Sequence, residues 1–255
     1  MAGAAVLAPP PAPRIAPPET VRIAAGVQDY RPAGEFRQGN RVVDAPVHSA
    51  EVAALEIMKF HVSESDYAIC VAQGACPSVP ETGLAGVAQT NVNHADATAY
   101  ALWLSGQTGQ TWRLPTDAEW LRAAAERGFD YGFAKEANGT DPSRRWIATY
   151  LREVELRGKA DPGLHPRSYF GVNKQGVADI SGNVWEWTET CFQNGKLTAD
   201  GQAIATRSDY CGVRVVQGKH RAFVIDFIRD ARSGGCAAGV PPDYLGFRLV
   251  RDADG

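Results

Sequence analysis

Long apolar runs are missing from this chain. No stretch reaches the roughly 18 consecutive apolar residues that a membrane-spanning helix needs, so no span is expected. An excess of positive charge is missing too: 26 Lys and Arg stand against 29 Asp and Glu, the formal net charge is −3, and no basic stripe runs along the sequence. That excludes the electrostatic footprint of a nucleic-acid binder. The common catalytic signatures do not occur: there is no G-x-S-x-G elbow, no P-loop, no G-x-G-x-x-G after a strand and no H-E-x-x-H helix. The five histidines, His48, His61, His94, His165 and His220, are scattered without the i, i+4 pairing of a metal-binding helix face.

Cysteine is sparse, and its spacing is informative. Five residues lie between Cys70 and Cys76, nineteen between Cys191 and Cys211, and twenty-four between Cys211 and Cys236, none of them the C-x2-C spacing of a zinc site. "CVAQGAC" could close a small disulfide loop, and Cys191 and Cys211 bracket a polar segment that a bridge could staple. Five unpaired thiols in a cytosolic protein are the alternative, and the compartment decides between them. The N-terminus bears on that choice. "MAGAAVLAPPPAPRIAPPE" opens with a short apolar run and small residues that suit a signal-peptidase site, but it lacks a positive start and most of an apolar stretch. It reads either as the remnant of a secretory signal, which places the protein in the periplasm or outside the cell, or as a disordered Pro-rich leader over 1–19, compatible with the cytoplasm.

What the chain does have is glycine and proline, 26 and 16 of them in 255 residues, which implies a loop-rich fold and excludes a simple helix bundle. "VRIAAGVQDYRPAG" reads as a short strand broken by Gly26 and Pro32. The stretch from Ala45 to Val71 alternates through Val47, Val52 and Ile57 as a half-buried strand, and Ser63 or Ser65 then caps a short helix. Two stronger helices follow. One places Ala97, Tyr100, Ala101 and Leu104 on one face, with Asn93 as cap and Gly106 as stop. The other opens with a Thr116/Glu119 capping box, buries Trp120, Leu121 and Ala124, and ends at Gly128. From Val177 onward short β-type runs return: "NVWEWTE", "CGVRVVQG", "HRAFVIDFI" and "LGFRLVRD". Two principal helices early and strands late, without β–α–β alternation, predict one α+β domain over 20–252 with mostly antiparallel strands.

The densest chemistry lies in "GVADISGNVWEW", residues 176–187. Asp179 offers a hard carboxylate beside a Gly turn able to point carbonyls inward, which is a partial calcium cage; a plain structural turn is the alternative. Taken with "RLPTDAEWLRAAAERG" before it and "GFRLVRD" at the C-terminus, this segment resembles the formylglycine-generating enzyme, or sulfatase-modifying factor, family, whose fold is related to C-type lectins. The resemblance covers roughly residues 20–252. It implies that the loop binds calcium through the Asp179 side chain and the carbonyls of Ile180, Gly182 and Val184. The family's second calcium loop has no match in "WIATYLREVELRGKADPG".

The resemblance also implies copper(I) held by two cysteines spaced C-x4-C, since soft thiolates suit that ion. Alignment on Ala231-Arg232-Ser233 puts Lys219 and Val224 at those positions, and neither can hold copper(I). Cys211 and Cys236 are the nearest thiols, and with His220 and Arg232 they are the candidates for any relocated catalytic role. Three functions follow. The first is an accessory or binding protein for a protein or peptide partner, with a groove presenting Lys219, His220, Arg221 and Arg232. The segment 211–243 is similar to a branch encoded beside copper nitrite reductases in denitrifying bacteria. The second is an oxidase acting on a protein cysteine or a small substrate, and the third is lectin-like recognition of a glycan or peptide.

Overall fold

A computed structural model describes residues 15–128, 163–225 and 243–253. The chain begins with β1 (Thr20–Ile23) and β2 (Gly26–Tyr30), followed by β3 (Gly34–Gln38), β4 (Arg41–Val43), β5 (His48–Val52) and β6 (Leu55–Met58). Three helices come next, α1 (Glu64–Ala72), α2 (His94–Thr108) and α3 (Asp117–Ala124). The remaining strands are β7 (Trp185–Leu197), β8 (Ile204–Gln217), β9 (Ala222–Ile225), β10 (Leu245–Gly246) and β11 (Val250–Asp252). The predicted α+β class with mostly antiparallel strands holds. Among the described residues only β3 and β10 run parallel to a neighbour, both alongside β7.

Three sheets organise the strands. One has the order β1-β6-β11, so the first and last of these strands lie on either side of β6. A six-stranded sheet follows the order β4-β3-β7-β8-β9, with β10 also paired to β7, and β2 pairs with β5 in a third. The single strand expected across Val47, Val52 and Ile57 is two strands, β5 and β6, in different sheets; Val47 lies before the first and is exposed.

All three helices start with a capping box, in which the cap side chain accepts from the third helical N–H and that residue's carboxylate reaches back. The pairs are Ser63 with Asp66, Asn93 with Asp96, and Thr116 with Glu119. Arg113 clamps Glu119 from the other side with two bonds of 2.7 Å. α2 runs past Gly106 and stops at Gly109, whose φ of 71° is the left-handed conformation that helix ends use. α3 ends four residues before Gly128, and a 3-10 turn, Ala125–Arg127, covers the gap.

Two apolar clusters form the interior. Tyr67, Tyr100, Leu104 and Trp112 pack with Trp187, Phe247 and Leu249, joining α1 and α2 to the later strands. Trp120, Leu121 and Ala124 of α3 pack on Ile23, Ile57 and Val250 of the three-stranded sheet. Ile180 and Val177, from the Gly-rich stretch, complete that second cluster. Both motif segments are therefore held by core packing before any polar contact is counted.

Candidate functional site

The tryptophans around Glu186 mark a buried ion pair. Trp187 is fully buried, and its indole N–H donates to the Val92 carbonyl at 2.9 Å. On the opposite side of the strand Glu186 is also fully buried, facing Arg248 of "GFRLVRD". Arg248 Nε donates to Glu186 Oε2 at 2.6 Å and Nη2 to Oε1 at 2.9 Å, a bidentate fork. The remaining guanidinium hydrogens face the carbonyls of Met58, Lys59 and Ala178. His61 Nε2 sits 2.9 Å from both Glu186 Oε1 and Arg248 Nη2. Burial alone would raise the Glu186 pKa, but the charge of Arg248 and the contact with His61 hold it at about 2. Burial, aided by Arg248, lowers that of His61, so the ring is neutral. The segments "GVADISGNVWEW" and "GFRLVRD" are thus joined by one buried ion pair.

A second buried carboxylate lies at the start of α3. Asp117 accepts from Arg221 Nη1 at 2.9 Å, from the Tyr30 hydroxyl at 3.1 Å and from the amide of Gln217. Burial, followed by the nearby charge of Asp117, raises the Tyr30 pKa and keeps its proton in place. Arg221 is therefore turned inward to Asp117, with a 6% exposed side chain.

The calcium expectation meets a different geometry. Asp179 is buried, and its two oxygens accept the backbone N–H groups of Ser168 at 2.6 Å and Phe170 at 2.8 Å. Its φ of 55° is left-handed, a conformation held by these bonds and by the Gly182 N–H on its carbonyl at 3.1 Å. Arg127 extends across the same loop. It donates to the carbonyls of Phe170 and Val172 at 3.1 Å and lies 3.5 Å from that of Ile180. The side chain of Ile180 packs into the core, Val184 is buried, and the Phe170 ring packs against Gly182. No group of three or more acidic, His or Cys side chains able to hold a metal occurs among the described residues. Of the expected calcium ligands, the Asp179 carboxylate is engaged by two amides and the Ile180 carbonyl lies 3.5 Å from the Arg127 guanidinium.

The cysteines are more decisive. Cys70 is bonded to Cys76, and Cys191 to Cys211. Four of the five cysteines are thereby used, and the catalytic candidate Cys211 is not a free thiol. Cys236 and Arg232 lie outside the described residues. Val224 is half-buried against the main core in β9. Lys219 is half-buried at the tip between β8 and β9. His220 is 5% exposed; its Nδ1 lies 3.1 Å from the Arg221 carbonyl, and its Nε2 has no hydrogen-bond partner among the described residues. Trp185 meets the His220 ring edge-on at 4.9 Å and Tyr244 at 5.3 Å, with Tyr244 49% exposed. The hairpin tip can approach Trp185 this closely because Gly218 carries no side chain: a Cβ there would fall 1.3 Å from the indole. Of the described residues expected to line a groove, Lys219 and His220 lie at the hairpin beside this aromatic face and Arg221 turns away from it.

Sequence reasoning passed over Glu186, Arg248, His61 and Asp117 as functional or structural anchors. A signal was present for two of them. A lone acid between two tryptophans and a lone Arg inside "GFRLV" are charges within apolar strands, and such charges require a partner.

Fold and site together define a loop-rich α+β domain whose hallmark loops are cross-braced by a buried Glu–Arg pair. Residues 7–253 match the Sulfatase-modifying factor enzyme 1-like domain, and the chain belongs to that family. It is 34% identical over 112 residues to a formylglycine-generating enzyme of Mycobacterium tuberculosis, covering 42% of this chain and 35% of that protein. Identity to the inactive C-alpha-formylglycine-generating enzyme 2 of Mus musculus is 31% over 124 residues, covering 46% of this chain and 37% of the other. The matched segments thus span about a third of each relative's length. Among solved structures, PvdO from Pseudomonas aeruginosa superimposes with a TM-score of 0.56 at 20% identity, covering 92% of this chain and 94% of that one. Treponema denticola variable protein 1 does so with a TM-score of 0.54 at 18% identity, covering 91% and 94%. At such identities these two likenesses speak for the fold alone.

Proposed function

We propose that this protein is a non-catalytic, accessory or binding member of its family, engaging a protein or peptide partner at the face formed by Lys219, His220, Trp185 and Tyr244. The observation that carries the proposal is the cysteine pairing. Two disulfides leave Cys236 as the one cysteine without a bond partner among the described residues, and a copper(I) centre of two thiolates needs two. Lys219 and Val224, at the expected ligand positions, offer an ammonium group and an aliphatic side chain. The existence of a relative named as inactive makes such a role coherent within the family. The proposal leaves calcium out, because Arg127 supplies the positive charge at the loop.

Export to the periplasm or the cell exterior is part of the same proposal, supported by two disulfides, which persist in oxidising compartments. No helix among the described residues is long and apolar enough to cross a membrane. The narrower reading, service to a copper nitrite reductase, rests on the resemblance of segment 211–243 alone. Glycan recognition draws on one observation, the exposed Tyr169 and Tyr244 rings, and a sugar array addresses it.

Anaerobic titration of the oxidised protein with copper(I), against a competing chelator, tests the proposal. Weak, non-stoichiometric uptake is expected. One tight equivalent per chain would overturn it in favour of an oxidase.

A further inference from the structure

The two disulfides occupy opposite environments. Cys70 and Cys76 are buried in the main core, where α1 ends. Cys211, by contrast, is exposed, and Cys191 is half-buried, on the long β7–β8 ribbon. The ladder is interrupted where they meet. Cys191 stands opposite Arg214, and the next residue, Phe192, stands opposite Tyr210, so β8 carries three residues across a single step of β7. The bond therefore bridges an irregular, bulged step of the β7–β8 ladder.

A cation is placed at one of the two sulfurs. Arg214 Nη1 lies 3.2 Å from Cys191 Sγ, its side chain only 16% exposed, and it also donates to the Glu189 carbonyl at 2.6 Å. The Glu189 carboxylate is farther off, at 3.4 Å, and shares its charge with His94. A guanidinium against one sulfur stabilises that sulfur as a thiolate and makes it the better leaving group in thiol–disulfide exchange. The other sulfur belongs to the exposed residue. Accessibility and leaving-group stabilisation thus fall on different atoms of one bond, as directional exchange requires.

We infer that Cys191–Cys211 is a thiol-exchange site, at which an incoming thiolate bonds to Cys211 Sγ and Cys191 leaves as a thiolate held by Arg214. The step balances. One S–S bond forms between the incoming sulfur and Cys211, one breaks between Cys211 and Cys191, and the electron pair of the broken bond rests on Cys191. The incoming thiol is oxidised to the level of a mixed disulfide and the protein disulfide is reduced by the same amount. The co-reactant is a thiol, either a small monothiol or a peptide cysteine. Phe192, Tyr210, Phe223 and Ile225 put apolar and aromatic surface on the neighbouring strands, the last three of them about half exposed.

The experiment uses the folded, oxidised protein without denaturant. It is exposed to graded glutathione or to a cysteine-bearing peptide, quenched with an alkylating agent and mapped by mass spectrometry. Cys191 and Cys211 should open at reductant levels on the order of ten-fold below those needed for Cys70–Cys76, with the mixed disulfide on Cys211 and the alkyl group on Cys191. Circular dichroism should stay native throughout. A faster reaction with glutathione identifies small thiols as the source, and a faster reaction with the peptide identifies protein cysteines; either supports exchange. Arg214→Gln should slow opening while Arg214→Lys retains most of the rate, a split that a purely structural role for Arg214 would not produce. Opening of both disulfides together only as the protein unfolds, or an adduct on Cys191 in place of Cys211, would overturn the inference.

Discussion

Glu186 shows how one residue can govern distant parts of the fold. Its carboxylate is fully buried and its compensation comes entirely from Arg248 and His61, 62 and 125 positions away in the chain. Removing one member of such a pair leaves an uncompensated buried charge, so Glu186→Gln should cost about 3–5 kcal/mol in urea unfolding. The double change Glu186→Gln with Arg248→Met should recover part of that loss; no recovery would mean the guanidinium is held by its carbonyls alone. The pH dependence follows from the same groups. A carboxyl whose folded pKa is depressed from 4.5 to about 2 contributes stability that is present above pH 4.5 and lost as pH falls toward 2. His61, with its folded pKa lowered from 6.5, acts in the same direction: the unfolded chain gains a proton near pH 6.5 and the folded chain only at lower pH. The urea midpoint should therefore fall on acidification from neutral pH, and Glu186→Gln should flatten the limb below pH 4.5. Parallel limbs in both proteins would count against this assignment.

At the level of elements, the helices were largely legible in the sequence because capping is local chemistry. Thr116 and Glu119 are three residues apart, and the predicted box is present, with Glu119 2.7 Å from the Thr116 N–H. Thr116→Ala should cost about 0.5–2 kcal/mol, read as a shift in the denaturation midpoint. Helix ends were less legible. Gly106 looked like a stop but sits within α2, and the chain turns at Gly109 because only there does the backbone take φ of 71°. The loop of Asp179 was legible as a turn. What fills it is Arg127, 52 residues earlier and past the end of α3, and no local pattern announces such a contact. Arg127→Ala should lower the melting temperature, whereas a calcium chelator should leave the wild-type value unchanged. A melting temperature that drops with chelator and recovers with calcium would restore the metal to this loop.

For the whole molecule, three motifs in the right order were enough to read the family and the α+β class, since both depend on short segments that keep their sequence. The candidate site was only half legible. Lys219 and His220 do lie at the hairpin beside Trp185, but Arg221 turns inward to Asp117, a residue 104 positions away that reads in the sequence simply as the acidic start of a helix. Disulfide pairing could not be fixed from spacing either, because connectivity depends on which strands meet. The proposed function leans on that outcome, since two bonds engage four of the five cysteines and a copper(I) centre of two thiolates needs two free ones. The most direct test combines the oxidised protein with copper(I), dioxygen and a cysteine-bearing sulfatase peptide, followed by mass spectrometry for the aldehyde. The peptide should return with its cysteine unconverted; formylglycine that accumulates with turnover and disappears in Cys211→Ser or Cys236→Ser would contradict the account and establish a relocated copper centre.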